Sequence, residues 1–167
     1  MAVQKDTLTL RVNGDIYRYA VGRDMGQIRP ADTLAQVLRE KLGLLGTKVS
    51  CDDGACGCCT VLLDGTAVPS CTLLAVECEG REITTIEGLE DRETGTLSPL
   101  QQAFVDHSAF QCGYCTPGII MSSKALLDEN PHPSEAEIKE ALAGNYCRCI
   151  SHYQVIKAVQ QAAEGGK

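Results

Sequence analysis

Cysteines are the residues of this sequence whose type and spacing best suit chemistry. The segment KVSCDDGACGCCTVL, residues 48–62, holds four of them within nine positions: Cys51, Cys56, Cys58 and Cys59. In a reducing compartment closely spaced thiols bind metals or do redox chemistry, whereas a secreted chain would pair them as disulfides. The ten cysteines form one group in the first half of the chain and another in the second, which predicts two metal sites.

The first group has the spacing C-x4-C-x2-C, through Cys51, Cys56 and Cys59, with Cys71 further along. This is the plant-type arrangement for a 2Fe-2S cluster. The small residues between the cysteines leave room for such a cluster and let backbone N–H groups approach its sulfides. Zinc also accepts four cysteines, but zinc sites usually contain paired C-x2-C motifs, so the spacing favours iron and sulfur.

The second group is a C-x2-C pair, Cys112 and Cys115, followed after 31 residues by the C-x-C pair Cys147 and Cys149. A thioredoxin-like dithiol would need a strand just before the motif, and the preceding segment has a helical pattern. Zinc and iron-sulfur fit this spacing equally well. The position after a 2Fe-2S motif favours a second cluster.

Short strands and one helix are expected to position the first group. Alternating apolar residues around Asn13-Gly14 predict a β-hairpin near the N-terminus, and residues 60–70 predict a second hairpin around Asp64-Gly65. Leucine and valine recur at helical spacing in residues 31–44, and residues 82–89 have the pattern of one more strand. This order predicts a small sheet packed on one helix.

Helices are expected to position the second group. A polar segment, about residues 90–98, has the composition of a linker, and helical patterns follow at residues 99–110, 117–129, 134–142 and 152–163. The second-group cysteines precede the second and fourth of these helices. Backbone N–H groups and the helix dipole favour thiolates and an anionic cluster there.

Composition excludes several other classes of function. The formal net charge is −7 and the pI about 4.9, so the basic patch that nucleic acid or an anionic membrane requires is not expected. No apolar run approaches the roughly 20 residues that span a bilayer, so no membrane insertion is expected. The first residues alternate polar and apolar types instead of forming a secretory signal, which predicts a cytoplasmic location.

The segments VSCDDGACGCCTVLLDG, QCGYCTPGIIMSSKALL and LAGNYCRC resemble the small iron-sulfur subunit of the molybdenum hydroxylases, the xanthine oxidase family. The resemblance extends from about Leu8 to Val159. It implies an α+β chain in which a β-grasp, plant-type ferredoxin-like domain, residues 1–89, precedes an all-α four-helix domain, residues 90–167. Each domain would bind one 2Fe-2S cluster. Such a chain is the electron-transfer subunit of an oxidoreductase and has no active site of its own.

The resemblance also implies a ligand set and partners. It assigns the ferredoxin-type cluster to Cys51, Cys56, Cys59 and Cys71, and the helical cluster to Cys112, Cys115, Cys147 and Cys149. It implies that Gln111 hydrogen-bonds the pterin of a molybdopterin cofactor held by a large subunit, and that Cys149 lies against that pterin. An FAD-binding medium subunit would complete a heterotrimer or a dimer of heterotrimers. The helical cluster would lie nearer molybdenum and the ferredoxin-type cluster nearer the flavin.

Two features depart from the family pattern. The last cysteine pair is followed by Ile150-Ser151-His152 where the family usually has Thr-Gly-Tyr, which affects the surroundings of the expected pterin contact. The segment YAVGRDMGQIRPAD, residues 19–32, is longer than usual and is expected to form a surface loop near a partner. Cys58 and Cys78 are expected to be free thiols.

A free-standing two-cluster carrier and a zinc-stabilised interaction module remain alternative functions.

Overall fold

The computed structural model describes residues 7–165. Residues 1–6 and 166–167 lie outside the described residues. They are the outer ends of the two expected domains, and residues 1–6 also begin the segment on which the absence of a secretory signal is predicted. Residues 7–89 are called the sheet region below, and residues 90–165 the helical region. Within the described residues, no helix is both long and apolar enough to cross a membrane.

The sheet region contains a mixed five-stranded sheet within the described residues. Its strands are β1 (Thr7–Val12), β2 (Asp15–Ala20), β3 (Thr60–Leu63), β4 (Thr66–Pro69) and β5 (Glu82–Thr84). They lie in the order β2-β1-β5-β3-β4, with β1 and β5 parallel and the other neighbours antiparallel. Both predicted hairpins are confirmed, since Asn13-Gly14 and Asp64-Gly65 take the positive φ angles that tight hairpin turns require.

The prediction of one regular α-helix within residues 31–44 is wrong. Regular helix α1 covers only Leu34–Gln36, begun by a capping box at Thr33, and the chain continues as a wider π-helical segment, Val37–Lys41. The Leu42 amide N–H donates to the Val37 carbonyl oxygen, five residues back, at 3.1 Å. From this segment the Arg39 guanidinium donates to the carbonyls of Leu45 and Thr47, in the segment leading to Cys51.

The last predicted strand is also shorter than expected. Pairing ends at Thr84, and Ile86–Gly88 form a 3-10 turn. The cause lies outside the strand, because the Thr85 amide donates to the Asn13 side-chain oxygen at 2.8 Å rather than to a neighbouring strand.

The helical region contains four helices within the described residues: α2 (Pro99–Asp106), α3 (Thr116–Glu129), α4 (Glu135–Ala141) and α5 (His152–Gly165). Ser98 and Ser134 cap α2 and α4 with the expected geometry. The predicted end of α2 at residue 110 is wrong, because Ser108 has a φ of 48° and the Ala109 amide turns back to the Phe104 carbonyl.

Two apolar cores hold these elements. Leucine, valine and isoleucine side chains of β1, β3, β5 and α1 form the core of the sheet region. A second core is built from all four helices around Phe104, Ile119 and Ile138. Helix α3 also packs against β3, so the N-terminal end of α3 meets the loop that precedes this strand.

Candidate metal centres

The first cysteine group lies in the loop before β3 and in the turn after β4. The β3–β4 hairpin brings Cys71 to Cys59 across the sheet, and the two thiols, both almost fully buried, contact each other. The Ser70 hydroxyl fixes this end of the loop by donating to the Cys59 carbonyl at 2.7 Å. At the other end of the loop the Cys56 thiol contacts the thiol of Cys51.

Backbone amides at this loop act on the thiols. Burial raises the pKa of Cys71 to about 12, reinforced by its contact with Cys59, while the Gly54 N–H acts in the opposite direction. For Cys56, burial also opposes ionisation, but hydrogen bonds from the Cys58 backbone and the Cys51 side chain outweigh it and lower the pKa. Gly54, with a φ of 82°, aims its N–H inward from a left-handed conformation that suits glycine.

The second group is assembled from the approaches to α3 and α5. The Cys112 and Cys149 sulfurs are 3.7 Å apart and exposed, although 37 residues separate them. Cys115, which lies at the N-cap of α3, is buried and its thiol contacts that of Cys147. The expectation that these cysteines precede the second and fourth helices is confirmed.

The pKa values of the second group are shifted in both directions. Burial raises the pKa of Cys115 to about 12, and its contact with Cys147 adds to the effect. For Cys147, burial again opposes ionisation, yet the Cys115 contact and the Ile150 and Cys149 amides lower its pKa. The Ile150 N–H lies 3.3 Å from the Cys147 sulfur. The neighbouring Cys112 thiol raises the pKa of Cys149.

The donor set fits iron-sulfur clusters. All ten cysteines are free thiols, and two groups of four gather at the two loops. Within residues 7–165 no three His, Cys, Asp or Glu side chains surround a single point at which one metal ion would sit. Beside Cys115, the buried Thr116 hydroxyl has no hydrogen-bond partner in the described part of the chain. A sulfur-rich cluster bound there would supply an acceptor for that hydroxyl.

The two loops contact each other directly. The Tyr146 amide, next to Cys147, donates to the Cys56 carbonyl oxygen at 2.9 Å. The Asn145 side-chain amide donates to the Gly57 carbonyl at 3.1 Å, and this bond is buried. The Tyr114 hydroxyl donates to the Val49 carbonyl at 2.5 Å. Sequence reasoning missed these contacts, because partners up to 90 residues apart share no local pattern.

The other residues singled out from the sequence lie in several parts of the chain. Gln111 is exposed beside Cys112, on the same surface as Cys149. Cys58 is buried in the core of the helical region, and burial raises its pKa to about 12. Cys78 is buried in the core of the sheet region, as expected for a small apolar residue. In the long loop between β2 and α1, the Met25 side chain is fully exposed.

Comparison with known proteins identifies both loops. Residues 26–94 match the 2Fe-2S iron-sulfur cluster binding domain family, and residues 85–160 match the [2Fe-2S] binding domain family. These two matches contain all eight cysteines of the two groups. The iron-sulfur interpretation of the spacing is thereby supported over zinc for both loops.

Relatives and solved structures agree with these matches. The chain is 50% identical over 131 residues to the nicotine 6-hydroxylase small subunit of Paenarthrobacter nicotinovorans, covering 78% of each chain. It is 41% identical to the nicotinate dehydrogenase small FeS subunit of Eubacterium barkeri, over 97% of this chain and 98% of that one. Quinoline 2-oxidoreductase from Pseudomonas putida superposes with a TM-score of 0.86 at 40% identity, over 95% of this chain and 93% of that one.

Longer relatives contain this chain as one part. The aldehyde oxidoreductase from Desulfovibrio desulfuricans superposes with a TM-score of 0.85 at 41% identity, over 95% of this chain but only 17% of that chain. The same two-loop architecture therefore occurs both as a separate subunit and within a larger chain. On the two domain matches, the identities and the superpositions, the chain belongs to the family of small 2Fe-2S iron-sulfur subunits of the molybdenum hydroxylases.

Proposed function

We propose that the chain relays electrons between the molybdopterin site of a large subunit and a flavin subunit or external carrier. The observation that carries this proposal is the direct contact between the two cysteine loops. The Cys56 carbonyl accepts the Tyr146 N–H at 2.9 Å, so one hydrogen bond joins a first-group cysteine to the residue beside Cys147. Two redox groups held by these loops would be joined by a short backbone route.

Each loop would hold one cluster. The proposed ligands are Cys51, Cys56, Cys59 and Cys71 in the sheet region, and Cys112, Cys115, Cys147 and Cys149 in the helical region. When bound, 2Fe-2S clusters accept and donate single electrons. The chain orients the sulfurs, directs backbone N–H groups at Cys56 and Cys147, and buries Cys59, Cys71 and Cys115 away from water.

The exposure of the cysteines indicates which group would face which partner. Cys112 and Cys149 are exposed on one surface together with Gln111, so a cofactor of a partner subunit can approach them closely. We assign to Gln111 a hydrogen bond to the pterin of the molybdopterin and to Cys149 a contact with that pterin. The first group would then serve the flavin or external carrier.

Apolar side chains around this surface support a permanent partner. Five large apolar or aromatic side chains of the helical region are at least 40% exposed: Val105, Phe110, Tyr114, Tyr146 and Tyr153. Phe110, Val105 and Leu97 line a groove of about 290 Å³ whose wall is almost entirely apolar, and Phe110 directly precedes Gln111 in the chain. A free-standing carrier would be expected to have a polar surface here, whereas a subunit interface buries such residues.

The organisation of the chain follows from this function. We propose a β-grasp domain over residues 1–89 and a four-helix domain over residues 90–167, each built around one cluster. The chain would join a large molybdopterin-binding subunit and an FAD-binding medium subunit in a heterotrimer or its dimer. Because a reducing compartment keeps the free thiols available for iron, we place the complex in the cytoplasm.

Spectroscopy of the full chain tests the electron-transfer role. After anaerobic purification and reduction with dithionite, we expect two distinct 2Fe-2S signals by electron paramagnetic resonance (EPR). A colourless protein that contains zinc and gives no iron signal would contradict the proposal and favour an interaction module.

Co-purification tests the partner. We expect Phe110→Asp to reduce recovery of a molybdenum-containing large subunit, because it charges the apolar groove, while both EPR signals remain. Ile16→Asp, at an exposed apolar position of β2, is the matched control and should leave recovery unchanged. Equal recovery with both variants would contradict docking at the groove, and two signals without any large subunit would favour a free carrier.

A further inference from the structure

Two glycines line the contact between the two cysteine loops. A Cβ atom at Gly118, in the first turn of α3, would lie 2.0 Å from the Gly57 carbonyl oxygen and 3.0 Å from the Cys58 Cα. A Cβ atom at Gly57 would lie 2.6 Å from the Gly144 carbonyl oxygen. These neighbours are backbone atoms, which cannot rotate away as a flexible side chain can, so larger residues would force the loops apart.

Asn145 holds the same contact with a buried hydrogen bond. Its side-chain amide donates to the Gly57 carbonyl at 3.1 Å, and its side chain is almost fully buried. The Gly57 oxygen also accepts the Thr60 hydroxyl at 2.8 Å, which keeps the acceptor in place. A bond that links residues 88 positions apart within the contact fixes the position of one loop against the other.

Local structure does not account for glycine at position 118. Glycine is a poorer helix former than alanine, so helix formation in α3 favours alanine there. No positive φ requires glycine at this position either. What requires glycine is the close approach of the Gly57 carbonyl from the sheet region.

We infer that Gly118 and Asn145 are positioning residues that set the separation of the two cysteine loops and so the rate at which electrons pass between them. This inference rests on the proposed function. Neither residue belongs to the proposed ligand set, and both act through Gly57 and the adjacent Cys56, whose carbonyl accepts the Tyr146 N–H. Displacing the Gly57 backbone stretches that 2.9 Å bond.

The test compares Gly118→Ala with Gly144→Ala in the full chain with its clusters. Gly144 is the matched control, since it lies one residue from Asn145 but a Cβ there would meet nothing within 4 Å in the part of the chain that the structure describes. The readouts are the magnetic coupling between the two reduced clusters by EPR, the rate of electron equilibration after flash reduction, and the melting temperature.

We expect Gly118→Ala to keep both signals but to weaken their magnetic coupling and slow electron equilibration, because both decrease as the two clusters move apart. Gly144→Ala should match the wild type in both readouts. Unchanged coupling in Gly118→Ala, with the higher melting temperature that helix propensity favours, would overturn the inference and leave the proposed function intact.

Asn145→Ala tests the inference if Gly118→Ala loses the EPR signal of one cluster. It removes the 3.1 Å bond without adding an atom, so we expect both clusters to be retained and their magnetic coupling to fall below that of the wild type. Wild-type coupling in Asn145→Ala would overturn the inference. Absence of both signals in the wild type would overturn the proposed function and the inference with it.

Discussion

The two cysteine loops differ in what surrounds them. Around the first group the exposed neighbours include two carboxylates, Asp52 and Asp53, directly after Cys51. Contact with the Cys51 thiol and the Ala55 amide lowers the pKa of Asp53. Around the second group the exposed neighbours are mostly uncharged and include Phe110 and Tyr114.

This difference separates the two ends of the relay. Charged rims suit partners that associate quickly and exchange, because electrostatic steering raises the rate of encounter. Apolar and aromatic surfaces suit permanent interfaces, where burial supplies the affinity. Under the proposed function, the helical region would therefore contact the large subunit permanently, and the first loop would exchange electrons with the flavin subunit or external carrier.

The loops also differ in how deeply their sulfurs are held. Cys59 and Cys71 are at most 4% exposed and sit beside the sheet, whereas Cys112 and Cys149 are exposed at helix approaches. The first cluster should therefore be coupled to folding of its region more tightly than the second.

Replacing a proposed cluster ligand should have the largest effect on iron content, and it should reveal the difference in burial between the two cysteine groups. We expect Cys71→Ser and Cys149→Ser each to lose about half of the bound iron, because each removes one of four thiolates from one cluster. Only Cys71→Ser should also lower the melting temperature strongly, since its sulfur is buried. Iron analysis and thermal unfolding check both outcomes.

Cys78→Ala is the control for that prediction. It changes a buried cysteine outside both groups, so it should reduce stability without reducing the iron content. A Cys71→Ser protein with the full iron content would show that the first cluster has a different ligand.

Truncation of a buried core side chain should have the next largest effect, and it should show whether the two apolar cores unfold independently. Phe104→Ala should lower the free energy of unfolding by about 3–5 kcal/mol and Leu10→Ala by about 2–5 kcal/mol, because both side chains are fully buried. In a urea titration followed by EPR, we expect the first variant to lose the helical cluster first and the second variant the other cluster.

Val105→Ala serves as the reference for Phe104→Ala. The two residues are adjacent in α2, but Val105 is 46% exposed, so its truncation should change stability little. If Phe104→Ala and Leu10→Ala released both clusters at the same urea concentration, the two cores would unfold as one unit.

A smaller effect is expected at glycines with positive φ. Gly57 and Gly65 have φ angles of 70° and 83°, so alanine at either position should cost about 1–2 kcal/mol in backbone strain. Only at Gly57 would the new Cβ also meet backbone atoms of the helical region. Urea unfolding should therefore show a larger loss for Gly57→Ala, and equal losses would contradict a tight junction between the loops.

The smallest effect is expected at a surface carboxylate far from both loops. Hydrogen bonds from the Glu82 amide and the Arg81 guanidinium lower the pKa of Asp64. Its contribution to stability is therefore present above the usual aspartate pKa and is lost as the pH falls through the lowered value. We expect Asp64→Asn to lower the melting temperature slightly at pH 7, with the difference from wild type vanishing in strong acid.

Much of the fold followed from local patterns. The hairpins at Asn13-Gly14 and Asp64-Gly65 and the capped starts of α2 and α4 depend on turn and capping residues that act within a few positions. One error has a non-local cause, since the last strand stops where the Asn13 side chain accepts the Thr85 amide. The helix after Thr33 also widens into π-helical turns, which the regular apolar spacing did not indicate.

The sequence by itself determined the two cysteine groups, the 2Fe-2S spacing of the first group and most of the elements that carry both, because spacing and periodicity are local properties of the chain. Only the tertiary structure decided how the groups meet. The carbonyls of Cys56 and Gly57 accept amides that lie about 90 residues further along, and Gly118 is small because backbone from the other region approaches it. Contacts of that range arise when two separately patterned regions pack together, and spacing within either region does not contain them.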